Sequence, residues 1–193
     1  MEKKIIIVAG VSSAGKSTLI DNFILPKLKA DGINIVDDVE IRFAGKLLQN
    51  FELGNKPVCI VHYNLLLQFD TNPDLTEIDL SSEPVFCQLL ESPCQSTVYL
   101  CYTPDAVLRK RITTRTKTEP IIAPDDSSYP SATILKSFEK IDQRLLTLEF
   151  GDKFKAHADN VQLVFSTNNT STVISWDDFK YALPNQALEE AIT

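Results

Sequence analysis

The stretch IIIVAGVSSAGKSTLI, Ile5 to Ile20, decides the reading of this chain. It opens as an unbroken apolar run that ends in glycine, the pattern of a strand buried on both faces of a parallel sheet. Gly10-Val11-Ser12-Ser13-Ala14-Gly15-Lys16-Ser17 then fits G-x-x-x-x-G-K-[ST] at every position, and Thr18 leads into helical spacing. The glycines let such a loop curl so that successive N–H groups face inward, and the following helix adds its positive end. The expected ligand is a nucleoside triphosphate. Gly10, Ser12, Ser13, Ala14 and Gly15 would form the cradle, and Lys16 would reach the β- and γ-phosphates. Ser17 would hold Mg²⁺, and Thr18 would meet the α-phosphate.

The whole chain sets outer bounds. Its 193 residues fit one well-buried domain, 1–193. A hydrophobic fraction of 44% and a charged fraction of 23% are those of an ordinary globular protein. The net charge of −7 argues against nucleic acid or an anionic membrane as partner, since both select clustered Lys and Arg. It leaves room for a small phosphorylated ligand in a local cationic pocket. No apolar run approaches a membrane span. The start, Met1 to Gly10, is too brief in its apolar part for a signal peptide and runs straight into the loop motif. Cys59, Cys87, Cys94 and Cys101 show no C-x-x-C spacing and have only two histidines for company, so reduced packing thiols in a cytoplasmic protein are expected. Trp176 is expected to be a packing residue too.

Further along, KSTLIDNFILPKLKADG reads as a helix kinked or ended near Pro26 and stopped at Gly32. INIVDD reads as a second strand that delivers Asp37 and Asp38 at its end, and VEIRFAGKLLQNFELGN as a second helix. KPVCIVHYN is a third strand. Residues 70–96 are broken by prolines, with VFCQLL a short helical turn. STVYLCYTPD is a fourth strand, DAVLRKRITTRTK a basic helix, and TEPIIAPDDSSYPS a proline-rich loop. ATILKSFEKIDQRLLTLEFGDKFKAHA is a long amphipathic helix with Gly151 as a break point. NVQLVFSTNN is a fifth strand and SWDDFKYALPNQALEEAI a helical tail. Strands alternating with helices predict an α/β fold, a three-layer α/β/α arrangement around a mostly parallel five-stranded sheet. Such sheets bind ligands beyond the carboxyl ends of their strands.

Marks of other triphosphate proteins are missing. There is no D-x-x-G or N-K-x-D pair of a GTPase, and no L-S-G-G-Q-like signature of a transporter ATPase. VYLCYTPDAVLRKRITTR, by contrast, is similar to the strand-turn-helix that opens the lid in the P-loop kinase superfamily of nucleotide, nucleoside and small-metabolite kinases, with Leu108, Arg111 and Arg115 in L-x-x-R-x-x-x-R. VDDVEIR resembles the segment in which those enzymes place an acceptor-orienting Asp and a substrate-holding Arg.

The resemblance covers residues 4–42 and 97–118. It implies an ATP- and Mg²⁺-dependent phosphotransferase acting on a small hydroxyl- or phosphate-bearing metabolite, with a lid over about residues 109–130. Arg111 and Arg115 would close on the phosphates, Asp38 (or Asp37) would take the acceptor's proton or join the Mg²⁺ shell, and Arg42 would hold the substrate. The other reading of the acidic pair is a helix N-terminus stabilised by its dipole. One departure stands out. The third strand ends His62-Tyr63-Asn64 where many relatives carry an Asp beside the metal, so His62 and Asn64 become candidates for the acceptor or for a metal-bound water. That departure also permits a nucleotide-binding module with little turnover. An NTP hydrolase is the third alternative, weakened by the missing GTPase signatures.

Overall fold

The computed structural model describes residues 3–44, 53–66, 84–92, 94–118, 139, 141–167 and 170–182. In chain order the elements are β1 (Lys4–Gly10), α1 (Lys16–Leu19), a π-helical segment (Ile20–Ile24), α2 (Leu25–Ala30), α3 (Ile35–Asp38), β2 (Val39–Ala44) and β3 (Val58–Asn64). After these come α4 (Pro84–Leu90), β4 (Gln95–Tyr102), α5 (Asp105–Thr118), α6 (Gln143–His157), β5 (Asn160–Ser166), β6 (Ser171–Ser175) and α7 (Trp176–Ala182).

The strands form one six-stranded sheet in the order β2-β3-β1-β4-β5-β6. All neighbours run parallel except β5 and β6. The expected α/β class and mostly parallel sheet are therefore present, with one strand more than expected. The extra strand is the β-branched run Thr172-Val173-Ile174, which returns antiparallel beside β5; Thr167 N–H donates to Thr170 O at the turn (2.9 Å). No described helix is long and apolar enough to cross a membrane.

β1 lies at the centre, and Ile5, Ile7, Val8 and Ala9 are all buried there. The helix after the loop is continuous in direction but changes pitch. Pro26 has no N–H and its ring would crowd the carbonyl one turn back. The preceding turn widens instead, with Leu25 N–H bonding to Ile20 O. The helix stops as expected at Gly32 (φ 83°): Gly32 N–H meets Lys29 O and Ile33 N–H meets Leu28 O, a left-handed glycine cap.

Three other expectations are corrected. Residues 35–38 form a helical turn, not a strand, and VEIRFA is the strand itself. Its alternation of Val39, Ile41 and Phe43 with Glu40 and Arg42 is the period of two that an edge strand shows. Only Val39 and Ala44 at its ends are buried, however, and Ile41 and Phe43 remain 37% exposed. The second helix expected over 39–55 thus fails over residues 39–44; 45–52 lie outside the described residues. Gly151 does not break α6. It is the place where the Trp176 indole lies on the helix, since a Cβ there would meet the ring at 2.0 Å. Trp176 is buried and donates through Nε1 to Asp152 (3.3 Å), and Cys59 and Cys101 are buried as expected. Phe86 of α4 meets Phe150 and Phe154 of α6 edge-on, and Tyr63 of β3 meets Phe150, which ties these helices to the sheet. The proline-rich loop and the tail beyond residue 182 fall outside the described residues.

Candidate functional site

At the carboxyl end of β1 the chain leaves the sheet as Gly10–Ser17. Gly10 is level with Asn64 of β3 and Cys101 of β4. A Cβ on Gly10 would stand 2.8 Å from Cys101 O, so only glycine lets the loop start this close to β4. Gly15 has φ 94°, where a side chain is strained, and Ser13 also takes a left-handed φ of 64°. Ala14 N–H closes a turn onto Val11 O (3.2 Å).

The Lys16 side chain folds back under the loop and is almost fully buried. Its Nζ donates to Gly10 O (2.9 Å) and Val11 O (2.8 Å). Burial pushes the Cys101 thiol up to about 12, while the nearby Lys16 charge pulls it the other way. The first turn of α1 exposes Ser17 and Thr18. His62 of β3 brings Nε2 to 3.5 Å from Ser17 Oγ, and its ring rests against Phe43 with centroids 5.1 Å apart. Asn64, the last residue of β3, accepts Leu66 N–H through Oδ1 (3.1 Å).

Arg111 reaches in from the second turn of α5. It donates through Nη1 to Thr103 Oγ1 (3.2 Å) and Ser13 O (3.4 Å), and through Nη2 to Ser166 Oγ (3.0 Å) and Thr167 O. Thr103 follows β4, is fully buried, and donates onward to Ala14 O (3.2 Å). Gln143, the first residue of α6, donates through Nε2 to Thr103 O (2.9 Å). One guanidinium fork thus ties the Gly10–Ser17 loop to the ends of β4 and β5. Partial burial lowers the Arg111 pKa from its ordinary value, which starts so high that the cation persists. Arg115 lies one turn further along α5; its side chain and the rest of the expected lid, 119–130, fall outside the described residues.

Sequence reasoning missed Thr103, Gln143 and Ser166. The signal for two of them was present: each is a hydroxyl residue directly after, or at the end of, an apolar strand run, where a parallel sheet places its ligand groups.

The acidic pair and Arg42 are elsewhere. Val39 is level with Val58 of β3 and hence with Lys4 at the start of β1. Asp37 and Asp38 therefore precede the amino end of the sheet. The seven residues of β3 separate that end from the loop by about 20 Å at ~3.3 Å per residue. Their assigned roles, acceptor base and metal contact, are corrected accordingly. There they serve a helix start. Asn34 Oδ1 accepts Val36 N–H (3.1 Å) and Asp37 N–H (3.5 Å), and Asp38 Oδ2 accepts Asn34 N–H (3.1 Å). Arg42 is level with Val61 in mid-strand and pairs with Glu40 (3.1 Å), away from the loop.

For a divalent ion the loop offers the Ser17 hydroxyl with His62 beside it. No three His, Cys, Asp or Glu side chains cluster among the described residues. Ser17 and His62 would supply at most two contacts to such an ion, the rest of its shell coming from a bound ligand and water. No protein-family model matches this chain, and no curated protein matches it either.

Proposed function

We propose that this chain binds a nucleoside triphosphate with Mg²⁺ at the Gly10–Ser17 loop and transfers the terminal phosphoryl group to a small hydroxyl- or phosphate-bearing metabolite. The observation that carries the reading is the convergence of Lys16, Ser17, Arg111 and Thr103 on one loop at the carboxyl end of the central strands. β1 leads toward β2 on one side and β4 toward β5 on the other, so the loop stands at the switch point where such sheets take ligands. The same strand order supports a kinase-like three-layer arrangement.

In this reading Lys16 exchanges two loop carbonyls for phosphate oxygens, and Arg111 keeps the loop in shape rather than closing as a lid. A bound Mg²⁺ would supply charge neutralisation between the β- and γ-phosphates. Phosphoryl transfer asks mainly for positioning and for cationic groups around the phosphates, which these side chains offer.

A second reading, a nucleotide-binding module with little turnover, gains from a specific observation. The carboxylates expected beside the acceptor, Asp37 and Asp38, stand at the opposite end of the sheet from the loop. Calorimetric titration with ATP and Mg²⁺, followed by ATP consumption across a panel of metabolites, separates the readings. Binding with acceptor-dependent consumption is the expected result. Binding with no consumption selects the module, consumption without acceptor selects a hydrolase, and no binding removes all three.

A further inference from the structure

We propose that His62 sets the ion preference of this site, shifting it from Mg²⁺ toward a first-row transition ion such as Co²⁺. The inference rests on the nucleotide reading above and specifies the ion that the nucleotide carries.

The geometry is local. His62 Nε2 stands 3.5 Å from Ser17 Oγ, the hydroxyl that the loop pattern assigns to the ion. Phe43, whose ring centroid lies 5.1 Å from that of His62, supports the imidazole on the side of the edge strand. Two donors on adjacent corners of an octahedral ion, each at about 2.1 Å, stand about 3 Å apart. The pair therefore has to close by only about half an ångström to share an ion. A water on the ion would bridge to the imidazole with still less movement.

The chemistry gives the direction. Mg²⁺ takes oxygen ligands and gives up its water reluctantly. Affinity of mixed nitrogen and oxygen sites rises from Mn²⁺ through Fe²⁺ and Co²⁺ to Ni²⁺, and imidazole suits the later ions. A carboxylate at position 62 would supply negative charge and oxygen, both favourable to Mg²⁺. Neutral imidazole supplies no charge and one nitrogen. Whether it touches the ion or a water on the ion, removing such a partner changes metal affinity by about 10–100-fold.

The test uses the full chain with β,γ-methylene-ATP, which cannot transfer its γ-phosphoryl group across the usual bridge, and either Mg²⁺ or Co²⁺. Calorimetry should give about tenfold tighter binding of the Co²⁺ complex than of the Mg²⁺ complex. His62→Ala should erase most of that ratio, and His62→Asp should turn it toward Mg²⁺. Proton NMR of the unmodified Co²⁺ complex adds a direct signal. The chain has two histidines, His62 and His157, and one ring should show hyperfine-shifted resonances that vanish in His62→Ala. This spectrum stands even where a variant fails to fold. Tight binding with the same ion ratio in all three proteins, or an unshifted His62 ring, overturns the inference and leaves the nucleotide site in place. No binding with either ion overturns the nucleotide reading, and the inference with it.

Discussion

At the carboxyl end of the sheet, Lys16 of α1, Thr103 after β4 and Arg111 of α5 bond to a single loop, across as many as 98 residues of sequence in the Arg111–Ser13 contact. Ser166 of β5 and Gln143 of α6 bond in turn to Arg111 and Thr103. At the amino end, Asn34, Asp37 and Asp38 bond to one another within four residues. The two clusters are equally polar on paper. They differ in what their bonds accomplish. The first fixes the relative position of elements distant in sequence, which a binding site requires. The second begins one turn of helix, a task that any Asn or Asp performs from local chemistry alone. A carboxylate is therefore informative about chemistry only once its end of the sheet is known.

The largest break in that comparison should come from Lys16→Ala. In this structure the ammonium is held by Gly10 O and Val11 O, and in the nucleotide reading it moves to the phosphates. Hydrogen bonds to a charged group contribute about 1.5–3 kcal/mol, so loss of the phosphate contacts should weaken ATP binding on the order of 10–100-fold. Titration calorimetry measures this directly. An unchanged dissociation constant would leave the carboxyl-end cluster as architecture without a ligand.

Arg111→Ala should come next. It strips four acceptors of one donor group, among them Thr103 Oγ1 and Ser166 Oγ in a partly buried setting. A cost of about 2 kcal/mol in stability is expected by urea unfolding, from unsatisfied groups rather than from lost charge. Arg111→Lys should recover less than half of it, because an ammonium cannot span the fork. ATP binding should weaken in step with the stability loss, since the loop and not the ligand is what Arg111 grips. A variant that keeps full stability and loses only binding would return Arg111 to the role of a lid residue.

The same contrast explains what the sequence disclosed. β1, its loop and the helix behind it were legible because their signals are contiguous: an apolar run, two glycines at fixed spacing, then Lys16-Ser17. The buried strands β3, β4 and β5 were legible for the first of these reasons. β2 was not, because an edge strand has a neighbour on one side only, and Val39-Glu40-Ile41-Arg42-Phe43, exposed from Ile41 to Phe43, lacks the apolar continuity of its neighbours. That misreading moved Asp37 and Asp38 from one end of the sheet to the other. Gly151 misled for a different reason. A helix interior glycine usually weakens the helix, but here it admits Trp176, a contact from beyond β5 and β6 that no local pattern announces. Arg111 stood out in the sequence, yet its partners lie at residues 13, 103, 166 and 167, and only the fold brings them together.

The smallest expected effect sharpens the comparison most. Asp37→Asn and Asp38→Asn keep side-chain shape and remove charge from the amino-end turn, about 20 Å from the loop by strand length. An exposed charge near a helix N-terminus contributes about 0.3–1 kcal/mol. Asp38 also accepts Asn34 N–H, and the amide oxygen introduced by Asp38→Asn can still accept it. Each variant should therefore lose less than about 1 kcal/mol of stability, and Asn34→Ala, which removes the cap itself, about 1 kcal/mol. None of the three should alter ATP affinity. Beyond about 8 Å at physiological salt the charge is screened, so even the double Asp variant should bind as the parent does. Measured side by side with Lys16→Ala, these variants ask whether the two ends of the sheet are independent. A drop in nucleotide affinity or in phosphoryl transfer with Asp38→Asn would mean that the segment 33–38 reaches the loop in the bound state, and the division between a binding end and a folding end would have to be abandoned.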